Sequence, residues 1–338
     1  MNQPLLSVRD LVVSFDTPDG VVHAVNGVSF DIHAGRTLAV VGESGSGKSV
    51  MVSSILRLNS STNAHTSGRI LLDGTDLLSI DDRGMRAIRG SDVAMVFQDP
   101  LSALNPYYKV GDQIAEAYLE HHPDASSGDA RARALEMMRK VGIPNPERRI
   151  DEYPHQFSGG MRQRIVIAIA LVNEPRVLIA DEPTTALDVT VQAQILDLMV
   201  ELQNETGMAM ILITHDLGVV AEVAHDVVVM YGGRIVEEAP VSGLFSVPVH
   251  PYSHGLLGAV HSLDTSGRGA LASIPGTPPS MLAMPSGCAF HPRCRHADSV
   301  GARCRNEVPS LRHVAGSESN AACHLGDEVL VGIGRSQS

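Results

Sequence analysis

The N-terminal part of the chain alternates short apolar runs with turn residues. Within residues 5–32 the breaks fall at residues 18–20, Pro-Asp-Gly, and at residues 26–27, Asn-Gly. Apolar runs of this length between such breaks are typical of strands joined by hairpins. We therefore predict that a small antiparallel sheet opens the chain.

A second kind of apolar run has no alternating polar positions. The runs are residues 37–41, 93–97, 177–180, 210–214 and 227–231. Such runs suit the strands of a parallel sheet that is covered on both faces. The first of them ends at a glycine-rich segment, and a helical pattern follows from Val50, which predicts the order strand, glycine loop, helix.

Two regions depart from this pattern. Residues 100–164 contain polar helical stretches broken by Pro and Gly, and after about Glu238 the periodicity fades while Pro, Gly, Ser and His accumulate. Clusters of such residues mark breaks between elements. We predict an α/β domain over residues 1–238, with an inserted helical subdomain at about 100–164, and a C-terminal appendage over residues 239–338.

The composition narrows the class of protein. Of the 338 residues, 43% are hydrophobic and 19% are charged, which is close to the average of globular proteins. The formal net charge is −12, and no run of Lys or Arg stands out. The chain therefore lacks the electrostatic footprint of a nucleic-acid-binding protein.

The apolar residues do not predict a membrane span. The most apolar stretch, residues 165–180, is interrupted at residues 173–176 by Asn, Glu, Pro and Arg, whereas a spanning helix needs about 20 apolar residues. Residues 1–16 lack the charged-then-apolar order of a secretory signal. We expect a cytoplasmic chain that depends on other chains for any work in the membrane.

Residues 42–49 fit the phosphate-loop pattern G-x-x-x-x-G-K-[ST]. The loop consists of Gly42, Glu43, Ser44, Gly45, Ser46, Gly47, Lys48 and Ser49. It lies between a predicted strand and a predicted helix, the context that supports such a match. We expect its backbone N–H groups to face the phosphates of ATP, Lys48 to reach the β- and γ-phosphates, and the Ser49 hydroxyl to hold Mg²⁺.

An acidic pair ends another predicted strand. Asp181 and Glu182 directly follow residues 177–180, at the strand end where an α/β sheet presents its ligand-binding groups. We predict that Asp181 organises Mg²⁺ through its water shell and that Glu182 polarises the attacking water. Two adjacent acids alone are more often solvated charges, and the phosphate loop in the same chain is what favours a catalytic role.

A third motif, FSGGMRQR at residues 157–164, joins these two. Taken together, the three motifs resemble those of the nucleotide-binding subunits of ABC transporters, whose signature is of the LSGGQ type. Phe157 and Met161 replace the commoner leucine and glutamine. The resemblance implies a P-loop NTPase fold of the RecA type, and it implies a signature turn that contacts the γ-phosphate of ATP held by an opposing subunit. The residues of that turn are Ser158, Gly159 and Gly160.

Other positions of the family's site follow in order. Gln98 resembles the Q-loop residue, which reaches Mg²⁺ and water, and His215 resembles the switch histidine near the γ-phosphate. Residues 186–188, Ala-Leu-Asp, resemble the D-loop that crosses the dimer interface through Asp188. Phe15 stands where the family has an aromatic ring stacked on adenine, although a phenylalanine in an early strand could equally be a core residue.

The resemblance implies an ATPase that works as a dimer. In that family each site is completed only when two subunits close over ATP. Such a site suits the reaction, since phosphoryl transfer to water needs alignment and charge neutralisation more than covalent chemistry. The implied catalytic residues are Glu182, His215 and Gln98. The implied partners are a second ATPase subunit, identical or different, two transmembrane permeases that dock near Gln98, and an extracytoplasmic binding protein. The implied location is the cytoplasmic face of the cell membrane.

The appendage carries a narrower resemblance. Residues 250–257, with His-Pro-Tyr-Ser followed by Gly-Leu-Leu, resemble a segment of oligopeptide, dipeptide and nickel importer subunits, and residues 274–279 and 287–294 strengthen the match. These residues favour a peptide importer. An importer of nickel, glutathione or another small solute is the alternative, and a soluble ABC ATPase without a permease or the ATPase of an exporter is a more distant one.

All four cysteines lie in the appendage. They are Cys288, Cys294, Cys304 and Cys323. A cytosolic compartment disfavours structural disulfides, and the spacing lacks the C-x₂-C pairs of common zinc sites. Four thiolates can ligate a [4Fe–4S] cluster, which the family resemblance implies here, whereas zinc and free buried thiols remain open as alternatives.

Overall fold

A computed structural model of the protein describes residues 3–59, 63–98, 103–185, 187–264 and 274–335. The strands in these ranges are β1 (Leu6–Thr17), β2 (Gly20–Ile32), β3 (Thr37–Val41), β4 (Ala64–Leu72), β5 (Thr75–Asp76), β6 (Val93–Val96), β7 (Val177–Asp181), β8 (Ala209–Ile213), β9 (Asp226–Tyr231), β10 (Arg234–Pro240), β11 (Arg312–His313) and β12 (Asn320–Ala321). The α-helices are α1 (Lys48–Ile55), α2 (Asp82–Ile88), α3 (Val110–Leu119), α4 (Ser127–Lys140), α5 (Pro146–Arg149), α6 (Gly159–Leu171), α7 (Val189–Thr206), α8 (Leu217–Val223), α9 (Val241–Ser246), α10 (Pro251–Asp264), α11 (Ala297–Val300), α12 (Ala302–Asn306) and α13 (Asp327–Arg335).

The chain divides into two compact units. One unit, called the helical unit below, contains residues 33–36 and 79–213. The other, called the phosphate-loop unit, contains residues 4–32, 37–78 and 214–338.

The phosphate-loop unit contains the antiparallel sheet predicted at the start of the chain. Its strand order is β2-β1-β4-β5, and Leu6 on β1 pairs with both Ile32 on β2 and Leu72 on β4. The prediction of hairpin-linked strands is confirmed. Strand β4 had no sequence signal because nearly all of its first six side chains are exposed, so no apolar alternation marks that part of it.

The same unit contains the parallel pair β3 and β9. All five residues of β3 are buried, and Ala39 lies opposite Val227 in the pairing. Both strands match the predicted apolar runs to within one residue. Strand β10 continues antiparallel to β9, and the short strands β12 and β11 follow it.

The C-terminal residues share a hydrophobic core with β3 and β9. Tyr252 and Leu257 on α10 and Phe290 pack with Val41 and Val229 in one buried cluster. Residues nearer the C-terminus form a second, smaller cluster that includes Val249, Val314, Ala321 and Leu330. The domain boundary placed after residue 238 stays a prediction.

The helical unit contains three parallel strands in the order β6-β7-β8. Val93 lies opposite Val177, and Val177 lies opposite Ala209. All three strands match predicted apolar runs to within one residue. Helices α3, α4 and α5 lie in the region predicted as a helical subdomain; its predicted first residue, Pro100, is outside the described residues.

Helix α4 shows how the polar helices of this unit are specified. Ser126 and Asp129 form a capping box at its N-terminus, which satisfies two backbone donors that the helix itself cannot pair. Its buried residues recur at helical spacing and are Ala130, Ala134, Met137 and Met138. No helix in the described ranges combines the length and the apolar composition that crossing a bilayer requires.

Glu237 on β10 is a fully buried carboxylate that ties the sheet to the start of α10. Its Oε1 accepts the N–H of Val249 at 2.9 Å, and its Oε2 accepts the N–H of His250 at 2.8 Å. Burial raises the pKa of Glu237 to about 7, although these two hydrogen bonds oppose the change. Burial also lowers the pKa of His250 to about 4.

Glu237→Gln is expected to cost more stability at pH 5 than at pH 8. A carboxyl whose pKa is raised on folding contributes stability that is complete below the unfolded pKa and is lost as the pH rises through the folded pKa, here about 7. The substitution should therefore lower the free energy of unfolding by roughly 2–3 kcal/mol more at pH 5 than at pH 8. Urea unfolding of both proteins at the two pH values measures this. His250 is present in both, so its opposite dependence cancels, and a cost independent of pH would contradict the expectation.

Candidate functional site

The phosphate loop lies between β3 and α1, and two of its glycines are required by close backbone approach. A Cβ on Gly42 would lie 2.3 Å from the carbonyl oxygen of Met230, and a Cβ on Gly47 would lie 2.2 Å from that of Ala24. Both glycines also have positive φ, +152° and +99°, which other residues rarely adopt. The loop can take this shape only with glycine at both positions.

Lys48 is buried at the centre of the loop. Its Nζ donates to the carbonyl oxygen of Gly42 at 2.8 Å and to that of Glu43 at 3.0 Å. Lys48 is the first residue of α1, and no side chain caps that helix start. An uncapped helix N-terminus beside an ammonium group is an arrangement that binds anions such as phosphate.

Two further predicted residues belong to the phosphate-loop unit. Phe15 lies near the end of β1 and is half-buried, outside the set of buried core residues. His215 is exposed and directly precedes Asp216, which caps the N-terminus of α8. Their contacts with adenine and with the γ-phosphate stay predictions.

The acidic pair lies at the end of β7 in the helical unit. Asp181 is buried as the last residue of the strand. Glu182 has φ +48°, a left-handed conformation that costs energy for any residue except glycine. Its backbone N–H donates to the carbonyl oxygen of Ile213 at 3.0 Å. The backbone therefore turns sharply at Glu182, and the strand ends at Asp181.

Glu182 and Gln98, which the sequence places 84 residues apart, are in contact. The Nε2 of Gln98 and the Oγ1 of Thr185 both donate to Oε2 of Glu182, each at 2.9 Å. The Glu182 carboxylate is thereby held by two donors. The sequence motifs predict roles for Gln98 and Glu182 but none for Thr185, whose only sequence signal is its place shortly after the acidic pair.

The signature turn forms the start of α6, also in the helical unit. Ser158 is the N-cap residue and accepts the N–H of Met161 at 3.4 Å. A Cβ on Gly160 would lie only 2.5 Å from Cγ1 of Val191, whereas one on Gly159 would lie 3.7 Å from Leu187. Gly160 is therefore required for the first turns of α6 and α7 to pack together.

Asp188 lies at the start of α7, the helix that packs against Gly160 through Val191. It is the N-cap residue of α7, and its Oδ1 accepts the N–H of Val191 at 3.0 Å. The signature turn and the D-loop residue thus adjoin through Val191. Ala186, the first residue of the predicted D-loop, lies outside the described residues.

The four cysteines, although scattered along the appendage, line one small cavity. Its other walls include Phe290, Val300 and Leu325 and four histidines, His250, His291, His296 and His324. All four cysteines are free thiols. Burial raises the pKa of Cys288 to about 12 and that of Cys294 to about 11, and it also raises those of Cys304 and Cys323. Protonated thiols of this kind are unreactive at neutral pH.

The cavity is not an organised metal site as it stands. Within the described ranges, no three His, Cys, Asp or Glu side chains are placed to bind one metal ion. The chemistry of the donor set nevertheless fits a soft metal centre, because thiolates bind zinc and iron–sulfur clusters. The structure therefore brings the four predicted ligands to one place without closing a ligand shell around it.

Comparison with known proteins places these motifs in a family. The model of the ABC transporter family matches residues 25–185, and that of the oligopeptide/dipeptide transporter C-terminal region matches residues 236–300. Cys304 and Cys323 lie beyond the second match. The fold resembles the post-hydrolysis dimer of the ATP-binding cassette MJ0796 bound to ADP and Pi, with a TM-score of 0.62, 27% identity and coverage of 70% of this chain and 98% of that one.

Other comparisons extend the similarity over most of the chain. CbiO1 from Clostridium perfringens, part of an ABC transporter complex, aligns with a TM-score of 0.62 and 31% identity over 72% of this chain and 91% of its own. The oligopeptide transport ATP-binding protein OppD of Salmonella typhimurium is 48% identical over 90% of this chain and 89% of its own length. The dipeptide transport ATP-binding protein DppD of Bacillus subtilis is 55% identical over 86% and 87%. The chain belongs to the dipeptide and oligopeptide branch of the ABC transporter ATP-binding subunits.

Proposed function

We propose that this chain hydrolyses ATP to power an ABC importer of dipeptides or oligopeptides. The observation that carries the proposal is similarity to peptide-transport ATP-binding proteins at 48% and 55% identity, extending through the C-terminal region as well as the cassette. A cassette fold alone would support an ATPase but would leave its cargo open.

In this proposal the phosphate loop and the start of α1 hold the phosphates of ATP. The ammonium of Lys48 donates hydrogen bonds to the carbonyl oxygens of Gly42 and Glu43. When ATP binds, it would donate to the β- and γ-phosphates instead. The Ser49 hydroxyl and the Gln98 side chain would hold Mg²⁺, and Asp181 would act through its water shell. The ion would supply neutralisation of charge on the phosphates. Phe15 would stack on the adenine ring.

Glu182 carries the chemical step in this proposal. Its carboxylate accepts a hydrogen bond from the attacking water and so polarises it, while Gln98 and Thr185 keep the carboxylate oriented. His215 would contact the γ-phosphate. This division of roles follows the general pattern of phosphoryl transfer, in which positioning and electrostatics do most of the work.

Completion of the site requires a second ATPase subunit. Ser158 and Asp188 are exposed, and Val189 beside them is a highly exposed apolar residue, which supports a surface that another chain covers. The signature turn, Ser158, Gly159 and Gly160, would then contact the γ-phosphate held by the other subunit. ATP would favour closure of the pair, and loss of phosphate would favour opening.

The proposed contact with the permease subunits is at exposed aromatic residues that lie close to Gln98 in the sequence. Phe97, Tyr107 and Tyr108 are 45%, 86% and 59% exposed, and exposed aromatic side chains mark surfaces for protein partners. The cytoplasmic helices of two permease subunits would dock there, which would place the chain at the cytoplasmic face of the membrane. An extracytoplasmic binding protein would deliver the solute to the permeases.

Uptake by a deletion strain tests the cargo. A strain lacking this gene, complemented with the wild type, should regain uptake of labelled dipeptide or oligopeptide, and complementation with Glu182→Gln should not restore it. Restored uptake of nickel or glutathione alone would select those solutes instead. ATPase activity without any effect on uptake would favour a soluble ABC ATPase.

The cysteine cavity is proposed to hold a [4Fe–4S] cluster. Cys288, Cys294, Cys304 and Cys323 would be its ligands, and the support is their convergence on one buried cavity. The cluster would supply a rigid cross-link between distant parts of the appendage or a redox response. Anaerobic purification with iron and acid-labile sulfide analysis decides the matter. Stoichiometric zinc would replace the cluster by a zinc site, and metal-free protein with four titratable thiols would remove both.

A further inference from the structure

Glu43, the second residue of the phosphate loop, is hydrogen-bonded to two residues of the C-terminal appendage. Its backbone N–H donates to Oη of Tyr252 at 2.9 Å. Its carboxylate accepts hydrogen bonds from Nη1 of Arg293 at 2.6 Å and from Nη2 at 3.0 Å. The phosphate loop is therefore tied by both backbone and side chain to residues more than 200 positions away in the chain.

Arg293 is buried and makes contacts besides the one with Glu43. Its side chain is only 6% exposed, against 24% for Glu43. Its Nε donates to the carbonyl oxygen of Pro275 at 2.8 Å, and its guanidinium lies over the ring of Tyr231, 5.8 Å from the centroid. A planar guanidinium with two parallel bonds to a carboxylate is specific in direction as well as in charge.

The charge on Glu43 matters because of where it lies. A carboxylate within a loop that binds the phosphates of ATP repels them, unless a positive charge compensates it. Two unit charges about 10 Å apart near a protein surface change a binding constant by roughly tenfold. The Arg293 guanidinium removes this repulsion, and the ion pair in turn raises the pKa of Arg293.

We propose that Arg293 is a positioning residue of the nucleotide site. It neutralises the Glu43 carboxylate, while Tyr252 contacts the backbone of the loop, so the appendage forms part of the nucleotide site. The proposal rests on the proposed binding of ATP by this loop and does not depend on the transported solute.

A neutralising role of Arg293 and a purely structural role predict different effects of also substituting Glu43. If Arg293 only supported the fold, removing Glu43 as well would add damage. If Arg293 acts by neutralising Glu43, removing the carboxylate of Glu43 should repair the loss of Arg293. The order of ATP affinities among the single and double variants therefore separates the two explanations.

The test is a titration of the purified full-length chain with a fluorescent ATP analogue. Arg293→Ala should weaken binding about tenfold, because it exposes the phosphates to the bare Glu43 carboxylate. Glu43→Gln should tighten binding, since Arg293 then acts on the phosphates without compensation. The double variant should return to within about threefold of the wild type, by the same charge balance.

Steady-state kinetics and a matched control complete the test. Arg293→Ala should raise the KM for ATP about tenfold while kcat changes much less, because the charge acts on bound ATP and on the transition state alike. Arg295→Ala, which removes an exposed positive charge two residues away, should leave affinity within about twofold of the wild type. Arg293→Lys should retain part of the affinity, because it keeps the charge but loses the fork.

Two results would overturn the proposal. One is an Arg293→Ala chain with unchanged ATP affinity, and the other is a double variant that binds ATP more weakly than Arg293→Ala. Thermal unfolding of each variant shows whether it is folded, and if Arg293→Ala is not, the comparison is made on Arg293→Lys with and without Glu43→Gln. Absence of ATP binding by the wild-type chain would instead contradict the proposed function, so the two failures are distinguishable.

Discussion

Glu182→Gln is expected to lower the rate of ATP hydrolysis by about a thousandfold, the usual range for loss of a general base. The substitution keeps the size of the side chain and its capacity to accept from Gln98 and Thr185, but it removes the negative charge that polarises water. ATP binding should be retained within about threefold, because the phosphate loop is unchanged. Single-turnover hydrolysis and nucleotide titration measure the two quantities separately.

The same variant should accumulate a closed dimer in the presence of MgATP, since closure requires ATP and opening requires its hydrolysis. Size-exclusion chromatography with and without nucleotide tests this. Glu201→Gln, which changes an exposed carboxylate on α7 of the same unit, is the matched control and should behave as the wild type. A Glu182→Gln protein that hydrolyses ATP at the normal rate would refute the assignment of Glu182.

Gly160→Ala is expected to lower ATP hydrolysis by about a hundredfold, a loss that misplacement of reacting groups by about 1 Å can cause. The new Cβ would lie 2.5 Å from Cγ1 of Val191, and a β-branched side chain has little freedom to move aside. The start of α6 must then shift away from α7, and the signature turn shifts with it. Steady-state ATPase assays measure the loss.

Val191→Ala provides the internal control for this explanation. Alone it should remain within about threefold of wild-type activity, because it removes only a small part-buried contact. Combined with Gly160→Ala it should recover most of the lost activity, since the overlapping atom is gone. A double variant as inactive as Gly160→Ala would show that the close approach of the two helices is not the reason for glycine at this position.

The sequence was most informative where burial was uniform. Strands β3, β6, β7, β8 and β9 coincide with unbroken apolar runs to within one residue, because strands covered on both faces need apolar side chains at every position. Strand β4 was missed because its N-terminal side chains are exposed. Strands β11 and β12 have only two residues each, too few to show any periodicity.

The site residues were predictable as a set of motifs, but their mutual contacts were not. The pattern of residues 42–49 specifies a loop shape because its glycines are required by the backbone, as Gly42 and Gly47 show. The left-handed backbone of Glu182 has no sequence signal, since glutamate rarely adopts it. The ion pair of Glu43 with Arg293 joins residues 250 positions apart, and no local pattern predicts a contact of that separation.

The cysteine cavity was predictable from the sequence only in part. Clustering of Cys288, Cys294, Cys304 and Cys323 in the appendage indicated a common site, and the structure brings all four to one cavity. The sequence does not predict the packing around the cysteines, which decides whether they act as metal ligands or remain free buried thiols. The raised pKa values of Cys288 and Cys294 come from burial, which depends on side chains contributed by α10 and by residues around 300 and 325.

The most direct measurement is an electron cryomicroscopy structure of the Glu182→Gln chain in its MgATP-loaded transporter. The account predicts that each ATP bound at Lys48 is covered by a signature turn from the facing ATPase subunit, so that the serine hydroxyl of that turn lies within hydrogen-bonding distance of the γ-phosphate. Nucleotide bound at Lys48 with both signature turns directed toward solvent would contradict it.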